Sequence, residues 1–184
     1  MENNEAALAS RLTAGELETI AYLWEFWARD EQLPPPGDWV TWLLMGGRGS
    51  GKTRAGAEWV RGLAAAGVGP IALVGETITE AVAVMIEGPS GLMAVTPPAD
   101  RPKRSGATLH WPNGVVATIL GASDPERFRG PQFAAAWCDE IGKWPHAEAA
   151  WDMLQFGLRL GQRPRQIATT TPRPTKLLKR LLAD

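Results

Sequence analysis

The chain has 184 residues, 45% of them hydrophobic and 21% charged, with a formal net charge of −1; that is enough length for one α/β domain with a buried core, and no composition break argues for two. Its single cysteine, Cys138, excludes an intrachain disulfide and, set in the apolar run "AAAWC", reads as a buried thiol in a reducing cytoplasm. The acidic start "MENNEAALAS" lacks a signal-peptide layout and no apolar run approaches the roughly 18 residues of a membrane span, so neither export nor a membrane is expected.

Thr13-Ala-Gly-Glu16 reads as a capping box, and Leu17, Ile20, Ala21, Trp24, Trp27 and Ala28 follow at helical spacing. They predict an amphipathic helix to about Arg29 with its tryptophans in the core. "LPPPGDW", just after Gln32, forces an extended connector, since three prolines cannot continue a helix.

"WVTWLL" is a buried strand and "TRAGAEWVRGLA" a helix. Between them Gly46-Gly47-Arg48-Gly49-Ser50-Gly51-Lys52-Thr53 fits G-x-x-x-x-G-K-[ST]. Glycines let successive backbone N–H groups turn inward around a phosphate, and the helix that follows adds its positive dipole end. Lys52 would reach the β- and γ-phosphates, and the Thr53 hydroxyl would complete the coordination of Mg²⁺. The bland alternative is a glycine-rich turn with no ligand, but the full match in strand–helix context makes nucleotide binding the firmest reading.

Further on, "PIALVGE" is a second buried strand, "ITEAVAVMIEG" a helix, and "SGLMAV" a short helix ending at Pro97-Pro98. "ATLHWPNGVVATIL" reads as an antiparallel hairpin around Asn113-Gly114. "GASDPERFRGPQ" is a surface loop by composition. "FAAAWCDE" is a buried strand that ends in Asp139 and Glu140, where a Walker B acid belongs in a P-loop fold. Asp139 would hold Mg²⁺ through water, and Glu140 would polarise the attacking water; an acidic pair at a strand end taken alone is more often a turn, and it is the glycine loop that favours the site. A helix from about His146 to Leu160 and a last strand, "RQIATT", complete a β-α alternation that "TPRP" breaks. Thr169, Thr170 and Thr171 end that strand and are expected beside the Walker B strand with hydroxyls facing the γ-phosphate, although β propensity alone also favours threonine there.

"DEIG" also satisfies the D-x-x-G element of GTP switches. Guanine specificity there rests on N-K-x-D, and Asn3, Asn4 and Asn113 are the only asparagines, so ATP is favoured. His110 and His146 stand 36 residues apart with no cysteine or histidine beside them, which gives no zinc spacing. Charge is uneven: residues 1–38 hold eight acids and two basic residues, and residues 159–182 hold Arg159, Arg163, Arg165, Arg173, Lys176, Lys179 and Arg180 and no acid. The second group could contact phosphates if it shares a face; a solvated helix end is the plainer reading. Arg127 and Arg129, in an exposed loop, are candidates for an arginine finger reaching a neighbour's nucleotide, Arg48 is the competing local cation, and plain surface arginines remain the alternative for each.

Together "MGGRGSGKTRAGAEWVRG", "EGPSGLM", "GASDPERFRGPQFAAAWCDEIGKW" and "TTTPRPT" resemble the ATPase domain of large terminase subunits, the DNA-packaging motors of tailed phages and phage-derived gene transfer agents. The resemblance spans about residues 20–182 and implies an α/β P-loop NTPase of the additional-strand, catalytic-glutamate type, with a mostly parallel central sheet flanked by helices. It implies ATP hydrolysis with Mg²⁺ in the host bacterial cytoplasm, coupled to moving double-stranded DNA into a procapsid. The implied partners are the portal protein, a small terminase subunit, and other copies in a ring on the portal.

On this resemblance Gly46–Thr53 is Walker A with Arg48 as its P-loop arginine, Asp139 and Glu140 are the Walker B acid and catalytic glutamate, and Thr169–Thr171 are the coupling motif. Arg127 or Arg129, with Arg129 favoured, falls on a trans-acting finger, and Gln32 resembles a glutamine that contacts adenine. The expected organisation is one ATPase domain: a helical segment and Pro-rich connector (1–38), a P-loop core (39–172) and a basic C-terminal helix (173–184). The family's nuclease domain, which follows the ATPase, is absent from these 184 residues, as expected of an excised domain or a split gene product. A helicase or remodelling ATPase is the alternative within the same fold, and a small-molecule kinase or nucleotide switch the alternative outside motors.

Overall fold

The computed structural model describes residues 12–183; the acidic first residues lie outside that range. Helix α1 (Ala14–Ala21) starts on the expected box, in which the Thr13 and Glu16 side chains each accept from the other's backbone N–H. It does not run on to Arg29. The Tyr22 carbonyl is taken by Arg61 Nη2 at 2.8 Å, and the chain restarts as the single turn α2 (Trp24–Trp27). Trp24 packs against the core. Trp27 is instead 57% exposed, its indole N–H donating to Ile20 O.

Strand β1 (Thr41–Met45) leads through the glycine loop into α3 (Lys52–Ala65). After β2 (Ile71–Gly75) comes α4 (Ile78–Ala81), which continues as a wider π-helical turn over Val82–Ile86 where a plain helix was predicted. Gly88 closes that turn so tightly that a Cβ there would lie 2.6 Å from Val84 O. The short α5 (Leu92–Val95) precedes β3 (Lys103–Ser105), β4 (Thr108–His110) and β5 (Val116–Gly121). The β4–β5 hairpin turns at Asn113-Gly114 as its sequence demands, Gly114 taking a φ of 88°. Strand β3 was not predicted, because its three residues are all exposed and carry no apolar alternation. Strand β6 (Ala135–Cys138), α6 (Ala147–Gly157), β7 (Arg165–Thr170) and α7 (Lys176–Leu181) complete the chain.

The seven strands form one sheet in the order β1-β7-β6-β2-β5-β4-β3, parallel except for the β5–β4–β3 edge. Every residue of β2 and β6 is buried, as central parallel strands covered on both faces must be. One apolar cluster gathers α3, the π-helical turn and α5 on one face, around Val60, Met85, Leu92 and Trp137. A second gathers α6 and α7 on the other, around Phe133, Trp151, Leu154 and Leu177. Gly56 is what lets α3 lie on β6, since any Cβ there would run into the Trp137 indole. Of the basic residues of 159–182, Arg163 and Arg165 reach Asp38, while Arg180 pairs with Asp152 at 2.7 Å.

Candidate functional site

Strands β1, β6 and β7 deliver the candidate residues to one edge of the sheet, because the glycine loop, the acid pair and the last threonine each follow the carboxyl end of one of them. Gly46 N–H donates to Thr170 O at 3.2 Å and so continues the β1–β7 ladder into the loop. Gly49 and Gly51 adopt left-handed φ values of 79° and 82°, which only glycine takes without cost. Gly51 thereby starts α3, and the backbone N–H groups of its first turn are left for a ligand.

Lys52 is 7% exposed. Its Nζ donates to the Gly46 and Gly47 carbonyls at 2.8 and 3.0 Å and lies 3.6 Å from Glu140 Oε1. The loop lysine is therefore folded onto its own loop and the acid. Ser50 Oγ is buried with no hydrogen-bond partner.

Asp139 is fixed on three sides. Its N–H donates to Val74 O at 2.8 Å, its Oδ1 accepts from Thr169 Oγ1 at 2.6 Å, and its carbonyl accepts from Trp144 Nε1 at 3.0 Å. Burial, with a contribution from Glu140, pushes its pKa up to about 6 against the pull of the Thr169 hydroxyl, Lys52 and Lys143. Glu140 holds a left-handed φ of 51°, the one such non-glycine residue described. A strained backbone of this kind costs about 1–3 kcal/mol and collects at functional sites. Its carboxylate accepts from Thr171 N and Thr171 Oγ1, both at 3.1 Å.

A cleft of about 720 Å³ opens between these groups, lined by Arg48, Lys52, Thr53, Asp139, Glu140 and Thr171. Its other wall comes from Ala83 and Val84 of the π-helical turn and from Gly88-Pro89-Ser90. Thr169 and Thr170 are fully buried and do not face the cleft as expected. The β-pleat turns Thr169 onto Asp139, while Thr170 Oγ1 accepts from Gly142 N at 3.0 Å, so only Thr171 reaches the cleft. Gln32 is buried against the loop, its Nε2 donating to Gly51 O at 3.3 Å and its Oε1 accepting from Arg29 N. Arg127 and Arg129 lie outside the cleft, each more than 60% exposed and bridged to Asp124 and Glu126 respectively.

Three groups at the site escaped the sequence. Arg29 Nη2 donates to Ser50 O at 2.6 Å, bracing the loop from outside with Gln32. Lys143 and Glu80 line the cleft as a pair at 3.8 Å, the Glu80 carboxyl held above its ordinary range chiefly by burial and by Glu76. Lys143 had a signal, standing in "DEIGK" on the same turn as the acids; Arg29 and Glu80 had none.

The donor set fits a nucleoside phosphate with a hard cation. The volume lies within the range of small-molecule sites, the unpartnered Ser50 hydroxyl lies in the loop itself, and the two hydrogen bonds of Lys52 go to loop carbonyls that a phosphate can replace. No group of three or more His, Cys, Asp or Glu side chains suited to a metal is found among the described residues. A cation between Thr53 and Asp139 would take its other ligands from phosphate and water, as Mg²⁺ does in nucleotide sites.

A family model described as the large terminase subunit, T4likevirus-type, N-terminal part, matches residues 43–184. The chain belongs to the large terminase subunit family. The solved ATPase domain of the Thermus phage P74-26 large terminase superposes with a TM-score of 0.55 at 16% identity, over 77% of this chain and 62% of that one. The large terminase of a thermophilic bacteriophage, solved with ADP, gives 0.59 at 16% identity over 83% of this chain and 37% of that one. These likenesses establish the fold, an α/β P-loop NTPase with a mostly parallel sheet. The terminase chain described here spans about three fifths of the first structure and little more than a third of the second. A search of curated proteins found no match. No described helix is long and apolar enough to cross a membrane.

Proposed function

We propose that this terminase chain hydrolyses ATP in the host cytoplasm, and that the hydrolysis moves double-stranded DNA into a procapsid with the portal protein, a small terminase subunit and other copies in a ring as partners. The observation that carries the reading is the meeting of Lys52, Asp139 and Glu140 in one cleft at the carboxyl edge of the sheet, in a chain of this family. The ADP complex of the phage relative supports a nucleotide as the ligand.

In this reading the loop N–H groups and Lys52 bind the phosphates, Lys52 exchanging the Gly46 and Gly47 carbonyls for phosphate oxygens. Thr53 and Asp139 would hold Mg²⁺, which would supply charge neutralisation at the phosphates. Glu140 orients the attacking water and accepts its proton. The two hydrogen bonds from Thr171 keep that carboxylate aimed. Gln32, buried beside the loop, contacts the base, Arg48 or a neighbour's Arg129 offsets charge on the transferring phosphoryl, and Thr169–Thr171 couple the site to the DNA-moving parts. The test is phosphate release from Mg²⁺-ATP with and without double-stranded DNA, beside nucleotide binding. Glu140→Gln should bind as the parent does and lose at least about 100-fold in turnover, and Lys52→Ala should lose binding. Turnover of Glu140→Gln at the parent rate with saturating Mg²⁺ would refute the role of Glu140, and a strict need for a small-molecule acceptor would turn the reading into a kinase.

A further inference from the structure

Two lysine–glutamate pairs line the same cleft: Lys52 with Glu140 at 3.6 Å, and Lys143 with Glu80 at 3.8 Å. The glycine-loop motif accounts for the first and says nothing of the second. Lys143 ends a three-residue 3₁₀ turn, Ile141–Lys143, that directly follows the acids. That turn is pinned at each residue boundary: Lys143 N–H donates to Glu140 O at 2.8 Å, Gly142 N–H to Thr170 Oγ1 at 3.0 Å, and Trp144 Nε1 to Asp139 O. The base of the Lys143 side chain is thus fixed relative to Asp139 and Glu140, and its flexible stem leaves the ammonium free to change partners.

Of the other cleft cations, Lys52 is held by two carbonyls beside Glu140, Arg54 is bound to the buried Glu58 at 2.7 Å and lies over the Trp24 ring, and Arg48 belongs to the glycine loop itself, across the cleft from the π-helical wall. Lys143 and Glu80 are 37% and 39% exposed, and a pair that open to water is held weakly. A triphosphate carries several negative charges into the cleft and outcompetes a single half-exposed carboxylate.

Resting on the reading of this cleft as a nucleotide site, we propose that Lys143 is a second phosphate-binding cation, parked on Glu80 and transferred to the terminal phosphate when ATP enters. ADP, without that phosphate, leaves Lys143 where it is. The transfer strips Glu80 of its counter-charge beside the carboxyls of Glu76 and Glu140. Glu80 belongs to α4, which runs without a break into the π-helical turn whose Ala83 and Val84 wall the cleft. Arrival of the terminal phosphate is thereby signalled to that wall by the loss of one ion pair.

The experiment compares Mg²⁺-ADP with slowly hydrolysed Mg²⁺-ATPγS by calorimetric binding, in the parent, Lys143→Met, Lys143→Arg, Glu80→Gln and Lys52→Ala. Lys143→Met should weaken ATPγS about tenfold, the worth of one charge-assisted contact at a partly exposed site, and leave ADP within about twofold. Lys143→Arg should keep the preference for ATPγS. Glu80→Gln, which releases Lys143, should tighten ATPγS roughly two- to threefold. Equal weakening of both nucleotides by Lys143→Met, or no change in either, overturns the proposal. Loss of both nucleotides in Lys52→Ala together with an unchanged Lys143→Met leaves the nucleotide site standing and removes Lys143 from it. Retention of both in Lys52→Ala sinks the nucleotide reading itself. Should Lys143→Met fail to fold, Glu80→Gln decides, because tighter ATPγS is not an effect that lost structure produces.

Discussion

Replacing Asp139 by asparagine should make the nucleotide-free protein more stable at alkaline pH, although it removes a residue at the centre of the site. Asp139 is 6% exposed, and burial is the main cause that carries its pKa from the ordinary 3.8 up to about 6. The folded state therefore holds the proton more tightly than the unfolded chain, so this group's contribution to stability falls as pH rises between those two values. At about 1.4 kcal/mol per pH unit, ionised Asp139 costs the folded state about 3 kcal/mol once the solution is above both. Asparagine has the same shape, and its amide oxygen can still accept from Thr169 Oγ1, but it carries no charge to desolvate. In urea titrations with chelator and no nucleotide, Asp139→Asn should exceed the parent by about 3 kcal/mol near pH 8 and converge on it near pH 4. For a domain this size that is about 6–12 °C in Tm at the alkaline end. A stability difference that stays constant with pH, or an Asn variant weaker than the parent at pH 8, would refute the reasoning. Saturating Mg²⁺ and nucleotide should stabilise the parent more than the variant and so narrow the difference.

Gly56→Ala should cost about 1–3 kcal/mol in urea unfolding, because the new methyl enters the Trp137 indole and α3 must lift from β6; an unchanged midpoint would mean that the helix has room to move. Thr169→Val strips Asp139 Oδ1 of its hydroxyl donor and Trp137 Nε1 of its acceptor, so stability should drop by about 1–3 kcal/mol. The Thr169 hydroxyl lowers the Asp139 pKa, so the acid limb of the ATPase pH profile should also move to higher pH in Thr169→Val; an unmoved limb argues against it. If Arg129 acts in trans, mixing Arg129→Ala with Glu140→Gln should recover turnover that neither has alone, with Arg127→Ala as the control. A mixed assembly that stays inactive would return the role to Arg48 in cis.

How far the sequence carried depended on the range of the forces involved. Gly46–Thr53 was legible because eight neighbours build the loop by themselves, and the hairpin at Asn113-Gly114 because its turn dictates local backbone angles. The acid pair was legible from the all-apolar strand before it. The break after α1 was not, since Arg61, 39 residues away, captures the Tyr22 carbonyl and ends a helix that local periodicity would have continued. The π-helical turn escaped for a similar reason: Val82–Ile86 follows on from a helical pattern, and nothing in its spacing announces the wider bond from Glu87 N–H to Val82 O. Arg29 acts through a side-chain bond to a carbonyl 21 positions on, which no spacing announces.

The threonines show how a stretch read from sequence can carry a wrong geometry. Three hydroxyls in a row at a strand end cannot all face one ligand, because successive side chains alternate between the two faces of the sheet. Each of the three meets a different point of the segment after β6: Thr169 the Asp139 carboxylate, Thr170 the Gly142 amide, Thr171 the Glu140 carboxylate. Two of these bonds are to acids that line the cleft, and the third holds the turn that carries Lys143. Any change in charge at Asp139 or Glu140 must therefore alter hydrogen bonds made by the last residues of β7, which lies between β6 and β1 in the sheet. If chemistry at the cleft is passed on, those three contacts connect it to the chain beyond Thr171, and α7 begins only five residues later at Lys176. A displacement of that helix upon ATP binding, absent in Thr169→Val, is what this connection requires, and hydrogen exchange over Lys176–Leu181 would detect it.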